Sequence, residues 1–439
     1  MDSELDKPKA EGSLGRVVSV DVLRGLTILL MVFVNDLGPA APKWMHHIQP
    51  PNADGMTLAD IVFPFFLFIA GASIPLAFES ARRKGQRNGK ILFHIFSRTL
   101  ALLLMGLVEV NRYSETTLGP ELWGLLAFIA IILTWCVVPK GDSIRRKVML
   151  GLKIIGAISL VLLLVIYRSA PVTTNVLFLG EVEAWTWLRT QWWGILGLIG
   201  WSYLTCAIIF FVVGSRREWL VAAVAMLMLN FVAANNGGFF TRVEDKSWLE
   251  PALMPLVNAV RVFVDFIYRY VDIGSQLGSL PATMMAGCVL GTLLKRESDI
   301  AEHLDRIRWA AVFAAGLFLA GAMTDTFAGI NKISATPTWC FWCASMATVF
   351  WIILYIILDV KRWQMWSKLV APAGANPLIA YLLHPVLLFI LSLTGLGVTF
   401  RSYAASESAL VTVFGSLAMA VVICALTALI AKLGLKLRV

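Results

Sequence analysis

Two histidines stand side by side at positions 46 and 47, a short way ahead of Asp60 in the run Gly55-Met56-Thr57-Leu58-Ala59-Asp60, and Asn35-Asp36 lies just before them. These residue types suit acyl transfer to an amine. An amine is protonated and inert until a base takes its proton, and imidazole titrates near neutrality without special arrangement. A carboxylate behind the ring would raise its basicity and fix its tautomer. A neutral amide such as Asn35 could bind a developing oxyanion. His47 or His46, Asp60 and Asn35 are therefore the candidate catalytic residues. The same spacing also fits two solvent-facing histidines at a membrane interface.

A second set lies towards the C-terminus. Asn331-Lys332 follows one apolar run, and Gly374-Ala375-Asn376-Pro377-Leu378-Ile379-Ala380-Tyr381 opens another, with His384 three residues beyond Tyr381 and so able to pair with it on one helical face. Asp21 and Arg24 have the same spacing in the first apolar run, where an ion pair fixing the helix end is an equally good account. Ionisable groups inside apolar spans are costly, which makes each a functional candidate.

The elements that must hold these groups are membrane helices. Of 439 residues, 58% are hydrophobic and 15% charged, against roughly 25% charged in soluble domains. The apolar residues fall in blocks near the length of about 20 that a span needs. Spans are predicted at 17–38, 57–81, 91–111, 121–138, 147–167, 192–214, 218–235, 275–294, 308–328, 337–359, 373–395 and 407–432. The expected fold is thus an all-α polytopic transmembrane bundle of about 11–12 spans. The first residues through Arg16 are polar and the first apolar run lacks a small-residue cleavage site, so that run is expected to remain as a span behind a tail of residues 1–16.

The net charge of +9 sits mostly in loops on one side: Lys7, Lys9 and Arg16, Arg82 to Lys90, Arg145 to Lys147, Arg216-Arg217, Lys295-Arg296, Lys361-Arg362 and the final tail. Positive-inside placement makes both termini cytoplasmic and puts the His46-His47 loop outside. No basic face carries interleaved aromatics, so nucleic acid is not an expected partner. The six cysteines are scattered; Cys340 and Cys343 have C-x-x-C spacing without a second pair, and no metal site is expected. Loops 168–191 and 236–274 lie on the outer side, the latter with an amphipathic stretch, Val257–Ile273, expected as an interfacial helix.

The run SVDVLRGLTILLMVFVND, the histidine loop and GMTLADIVFPFFLFIAG resemble the transmembrane acetyltransferases related to heparan-α-glucosaminide N-acetyltransferase, and INK at 330–332, LDVKRW and GANPLIAYLLH extend the similarity. The resemblance implies one membrane acyltransferase domain, residues 17–439, carrying acetyl from cytoplasmic acetyl-CoA to the amine of a glucosamine-type sugar on the far side. It places the active histidine at His47 or His46, and matches Asn35 and His384 to family positions. Where relatives have Trp-Asn-Gly ahead of the motif, this chain reads Gln49-Pro50-Pro51-Asn52-Ala53-Asp54-Gly55, which leaves the choice of histidine open. With only a short tail before the first span, a small amino sugar or glycan end is expected rather than a long heparan chain.

The side chains expected to bind the acceptor are Asp36, Asn331, Lys332, Asn376 and His384. Arg82, Arg83, Lys84 and Arg87 are expected to recruit the CoA phosphates, although topology alone also accounts for them. The small residues Gly71, Ala72 and Ser73 would let helices pack closely around the pantetheine arm. The expected location is the inner (plasma) membrane, with the lipid bilayer as partner and a homodimer compatible with the architecture. The rival class is a secondary transporter of amino sugars or other small polar solutes, with Asp21, Asp60 and Glu109 serving proton coupling.

Overall fold

A computed structural model describes residues 17–112, 118–141, 143–176, 180–235 and 254–438. The tail 1–16, with Lys7, Lys9 and Arg16, and most of the long loop from 236 lie outside the described residues. Helices α1 (Val18–Asp36), α2 (Leu58–Arg83), α3 (Asn88–Asn111), α4 (Pro120–Thr134) and α5 (Ile144–Ile166) are followed by strands β1 (Ser169–Val176) and β2 (Gly180–Thr186). Next come α6 (Gly194–Val213), α7 (Arg217–Asn235), α8 (Met254–Tyr268), α9 (Leu280–Leu293), α10 (His303–Ala328) and α11 (Pro337–Tyr355). The short α12 (Ala371–Ala375), α13 (Pro377–Leu393), the short α14 (Gly397–Phe400) and α15 (Ala409–Lys432) complete the chain.

Each predicted span coincides with a helix. Nine of those described are long and apolar enough to cross a membrane, α4 and α13 are shorter apolar helices, and α9 is lengthened at its start by one π turn, Ser275–Ser279. The fold is the expected all-α bundle, and only the segment taken as a loop at 168–191 differs: it pairs β1 with β2 antiparallel, Val172 opposite Ala184 and Asn175 opposite Glu181. Its Val-Thr-Thr and Val-Glu-Ala-Trp runs have the β-branched and aromatic content that favours a pleated backbone. The amphipathic stretch begins earlier than predicted, at Met254, and forms α8.

The packing separates inner helices from lipid-facing ones. Every residue of α9 is buried, whereas α5 exposes Ile155, Val161, Leu162 and Val165, and α10 exposes Val312, Leu319 and Met323. Exposed apolar faces of this extent suit hydrocarbon and not water. At the centre α2 crosses α9 by mutual glycine contact. A Cβ on Gly71 would lie 1.8 Å from the Met284 carbonyl oxygen, and one on Gly287 the same 1.8 Å from that of Phe68. Only hydrogen fits at either point, so the backbones touch, as in other small-residue membrane crossings.

The start of α1 is held from far along the chain. The Val18 and Ser19 N–H groups each donate to the Asp359 carboxylate at 3.0 Å, satisfying two of the helix's orphan donors with a negative charge at its positive end. The described chain ends lie at this same end of the bundle. Leu437 N–H donates to the Asn376 side chain, and Gly374, two residues before Asn376, packs against the Asp21 carbonyl.

Candidate functional site

The site at the far end of α1 and α2 is built by a helix cap. Thr57 is the N-cap residue of α2 and Asp60 occupies the third helical position, so the Asp60 carboxylate reaches back to the Thr57 N–H at 3.1 Å, half of a capping box. The same Oδ2 accepts from Ile48 N–H at 3.2 Å. The Thr57 hydroxyl lies within reach of both Oδ2 and the His46 carbonyl. Asp60 is thereby buried to 1% exposure yet fully partnered, which removes the cost of an unpaired buried charge. Its remaining oxygen, Oδ1, faces the His47 ring, with His47 Nδ1 at 2.7 Å.

That contact distinguishes the two histidines. The His47 side chain is 47% exposed while its anchor is buried. In the tautomer whose Nδ1–H donates to Asp60, Nε2 keeps a lone pair able to accept a proton. His46 contributes its carbonyl to Thr57, and its Nε2 is buried without a partner among the described residues.

Lys332 and Asn331 come to the same place from the loop ahead of α11. Lys332 Nζ lies 3.0 Å from His47 Nδ1, 3.4 Å from Nε2 and 3.7 Å from Asp60 Oδ1. Burial pushes its ammonium below the ordinary lysine value, and Asp60 acts against that shift. Asn331 donates to the carbonyls of Pro51 and Ala53 at 2.9 and 3.2 Å. The Ile330 N–H donates to Asp54 and Gly55 N–H returns a bond to the Ile330 carbonyl. The unusual stretch 49–55 is therefore clamped to the INK segment, a contact across some 280 residues that spacing alone does not reveal.

Asp36 and His384 form a neighbouring group. Asp36 Oδ1 accepts from Arg401 at 2.9 Å, Tyr403 donates to Oδ2, and His384 Nε2 is 3.9 Å from Oδ1. Burial, then the carboxylate, hold the Tyr403 phenol protonated well above its usual range. His384 is buried and its Nε2 has no hydrogen bond among the described residues. The expected Tyr381–His384 pair does not form, because Tyr381 donates to Glu109; a buried carboxylate is a stronger acceptor than a neutral imidazole. Asn35 is exposed at the end of α1. Asn376 does not join these residues: it sits at the opposite end of the bundle, bonded to Leu435 and Leu437. Arg401 and Tyr403 had no signal in sequence beyond being polar residues between two spans.

The opposite, basic end holds a cavity of about 720 Å³ whose lining includes Arg24, Ser73, Arg83, Lys84 and Arg296. Arg24 pairs with Asp21 at 3.3 Å, as the spacing predicts, and also donates to Ser73 and to the Gly374 carbonyl. Arg83 and Lys84 thus face this cavity. Arg82 lines two smaller recesses beside it, and Arg87 is exposed at the start of α3. Arg24 and Arg296 join this basic set only through the fold. Between the two ends, α2 leaves one stripe incompletely covered, Phe66, Ala70, Ser73 and Ala77, which share a face at spacings of four, three and four.

Apolar helices sheathed in exposed Leu, Ile, Val and Phe make this an integral, multi-pass membrane protein. Residues 16–182 match the family model described as Domain of unknown function (DUF5009), a region that includes His47 and Asp60 and ends well before Lys332. Over 111 residues the chain is 39% identical to heparan-alpha-glucosaminide N-acetyltransferase of Mus musculus, and over 108 residues 38% identical to that of Homo sapiens. Each match covers 25% of this chain, and 16% and 15% of the two relatives' own lengths. The similarity inferred from the motifs is thus found with these acetyltransferases over a quarter of the chain.

Proposed function

We propose that the protein is a membrane acetyltransferase that carries acetyl from cytoplasmic acetyl-CoA to the amine of a glucosamine-type sugar at the opposite face, in the inner (plasma) membrane. The observation that carries this reading is the His47–Asp60 contact at 2.7 Å: a half-exposed imidazole, its tautomer set by a buried carboxylate, in a chain similar to N-acetyltransferases. The basic end is assigned to the cytoplasm by its Arg and Lys content, and the histidine end to the outside.

The basic cavity supports the donor side. Arg24, Arg83, Lys84 and Arg296 outnumber Asp21 and Glu79 in the lining of a space suited to CoA phosphates. Ser73, at that cavity, and Asp60 are 13 residues apart on α2, about 20 Å at 1.5 Å per residue. An extended phosphopantetheine arm has a reach of the same order. The partly open stripe through Phe66 and Ala70 gives it a surface to lie against. In this scheme His47 Nε2 takes the proton of the acceptor amine as its nitrogen attacks the thioester carbonyl; the C–N bond forms, the C–S bond breaks, and CoA leaves as the thiolate. Asn331, Lys332, Asp36 and His384 face the acceptor side, and Asn35, at that end, is the group proposed to polarise the carbonyl.

The transporter alternative needs carboxylates available for proton coupling. Asp60 is held by several donors, and Glu109 accepts from Tyr381 and from Leu196 N–H, which favours fixed structural and catalytic roles. The deciding experiment is acetyl-CoA-dependent acetylation of glucosamine by purified protein in detergent, with His47→Ala as control. Absence of transfer together with absence of CoA binding would refute the proposal, and solute uptake by liposomes lacking any acyl donor would favour the transporter.

A further inference from the structure

We propose that Lys332 is a positioning residue that keeps the His47 imidazole neutral, and so able to accept a proton, by placing an ammonium against the ring. The use of this device rests on the acetyl-transfer reading above; its electrostatics do not. Asp60 alone would favour the imidazolium, since an opposite charge at hydrogen-bond distance stabilises the charged form. A base held protonated in that way would be idle near neutrality. Lys332 supplies the counterweight, its Nζ 3.0 Å from Nδ1 and 3.4 Å from Nε2.

Nζ lies within hydrogen-bond distance of both ring nitrogens, and an ammonium has only donors to offer them. In the tautomer whose Nδ1 gives its proton to Asp60, an ammonium at this distance disfavours a second positive charge on the ring. Nor can it readily swing away. Its side chain is 21% exposed, and the two residues just ahead of it are tied down, Asn331 to Pro51 and Ala53 and Ile330 to Asp54 and Gly55. The titratable groups recorded in contact with the ring are Asp60 from α2 and Lys332 from the loop ahead of α11; Lys43, His46 and Asp54 share its own loop, the last taken up by the Ile330 N–H. Burial lowers the affinity of Lys332 for its proton, and the Asp60 carboxylate, 3.7 Å from Nζ, acts against that loss.

The test reads the ring directly. Diethyl pyrocarbonate modifies neutral imidazole, and the rate at His47 can be followed by peptide mass spectrometry on the full-length protein in detergent across about pH 5 to 8.5, the range in which a histidine titrates. Lys332→Met should raise the pH midpoint for His47 modification by about one unit, and Lys332→Gln should do the same. Lys332→Arg, which keeps the charge, should hold the midpoint near that of the unaltered protein. Asp60→Asn should move it the other way. An unchanged or lowered midpoint in whichever of the two neutral variants folds would overturn the proposal. Because the reagent reports protonation and not transfer, a failure of acetyltransferase activity would refute the function above while leaving this result standing.

Discussion

His47 Nδ1 stands 2.7 Å from Asp60 Oδ1, a half-exposed ring on a buried carboxylate. The ring's position is set from inside the protein while nearly half of its side-chain surface stays exposed. Removing the ring should therefore remove the base without disturbing the anchor. His47→Ala is expected to lower kcat for glucosamine acetylation by roughly 10²–10⁴-fold, the usual contribution of a general base. His46→Ala should stay within a few-fold, because His46 serves Thr57 through its backbone carbonyl. Equal losses in the two variants would contradict the assignment.

Asp60 combines a helix cap with a catalytic anchor, and the two roles can be separated. Asp60→Asn preserves shape but turns charge-assisted bonds into neutral ones, with an expected cost of about 2 kcal/mol in stability and a fall in kcat larger than any rise in KM. Thr57→Ala removes the hydroxyl from the cap and from the His46 carbonyl but leaves the carboxylate with its backbone donors and His47, so about 1 kcal/mol should be lost while kcat stays nearer to that of the unaltered protein. Thermal melts in detergent, paired with kinetics, would distinguish these outcomes.

The donor cavity makes its own prediction. Arg24→Ala and the double change Arg83→Ala with Lys84→Ala should each raise the KM for acetyl-CoA by roughly tenfold, the loss of a charge-assisted phosphate contact. The acceptor KM should be unaltered. The effect of Arg83 and Lys84, which are exposed, should diminish in high salt, where surface charge is screened. Isothermal titration with CoA provides a check independent of turnover. If none of these changes weakens CoA binding, the cavity is not the donor site.

Much of this arrangement was legible in the linear sequence because it is local. Thr57 and Asp60 are a helix-start signature, Asp21 and Arg24 are a turn apart, and the spans declare themselves by length and hydropathy. What could not be read depends on distant pairings. Nothing in Asn376-Pro377 says that the amide binds the C-terminal segment at the end opposite the histidines. Nothing in Tyr381 says that Glu109, 272 residues away, will outcompete a histidine one turn along. The hairpin at 169–186 was obscured because its Trp and Glu residues suggested an outer loop, while the strand signal in its Val and Thr residues was short.

The same limit hid the role of Asp359, which in sequence is one carboxylate ending an apolar run, and the fold turns it into the cap of α1 through the Val18 and Ser19 N–H groups. Those two donors have no other hydrogen bond available within their own helix turn. Asp359→Ala should therefore cost about 1–2 kcal/mol, the range for a lost N-cap, and Asp359→Asn less, since its amide oxygen can still accept. The consequence should reach Arg24, which lies on the same helix under two turns from the cap and reaches across to Ser73 and Gly374. Loosening the start of α1 is thus expected to weaken CoA binding while leaving the pH midpoint of His47 modification unchanged, because His47 is fixed by α2 and the loop at 330–332. A shift of both readouts together would show that the two ends of the bundle are mechanically coupled through α1, and unchanged melting of the Ala variant would show that the cap contributes nothing.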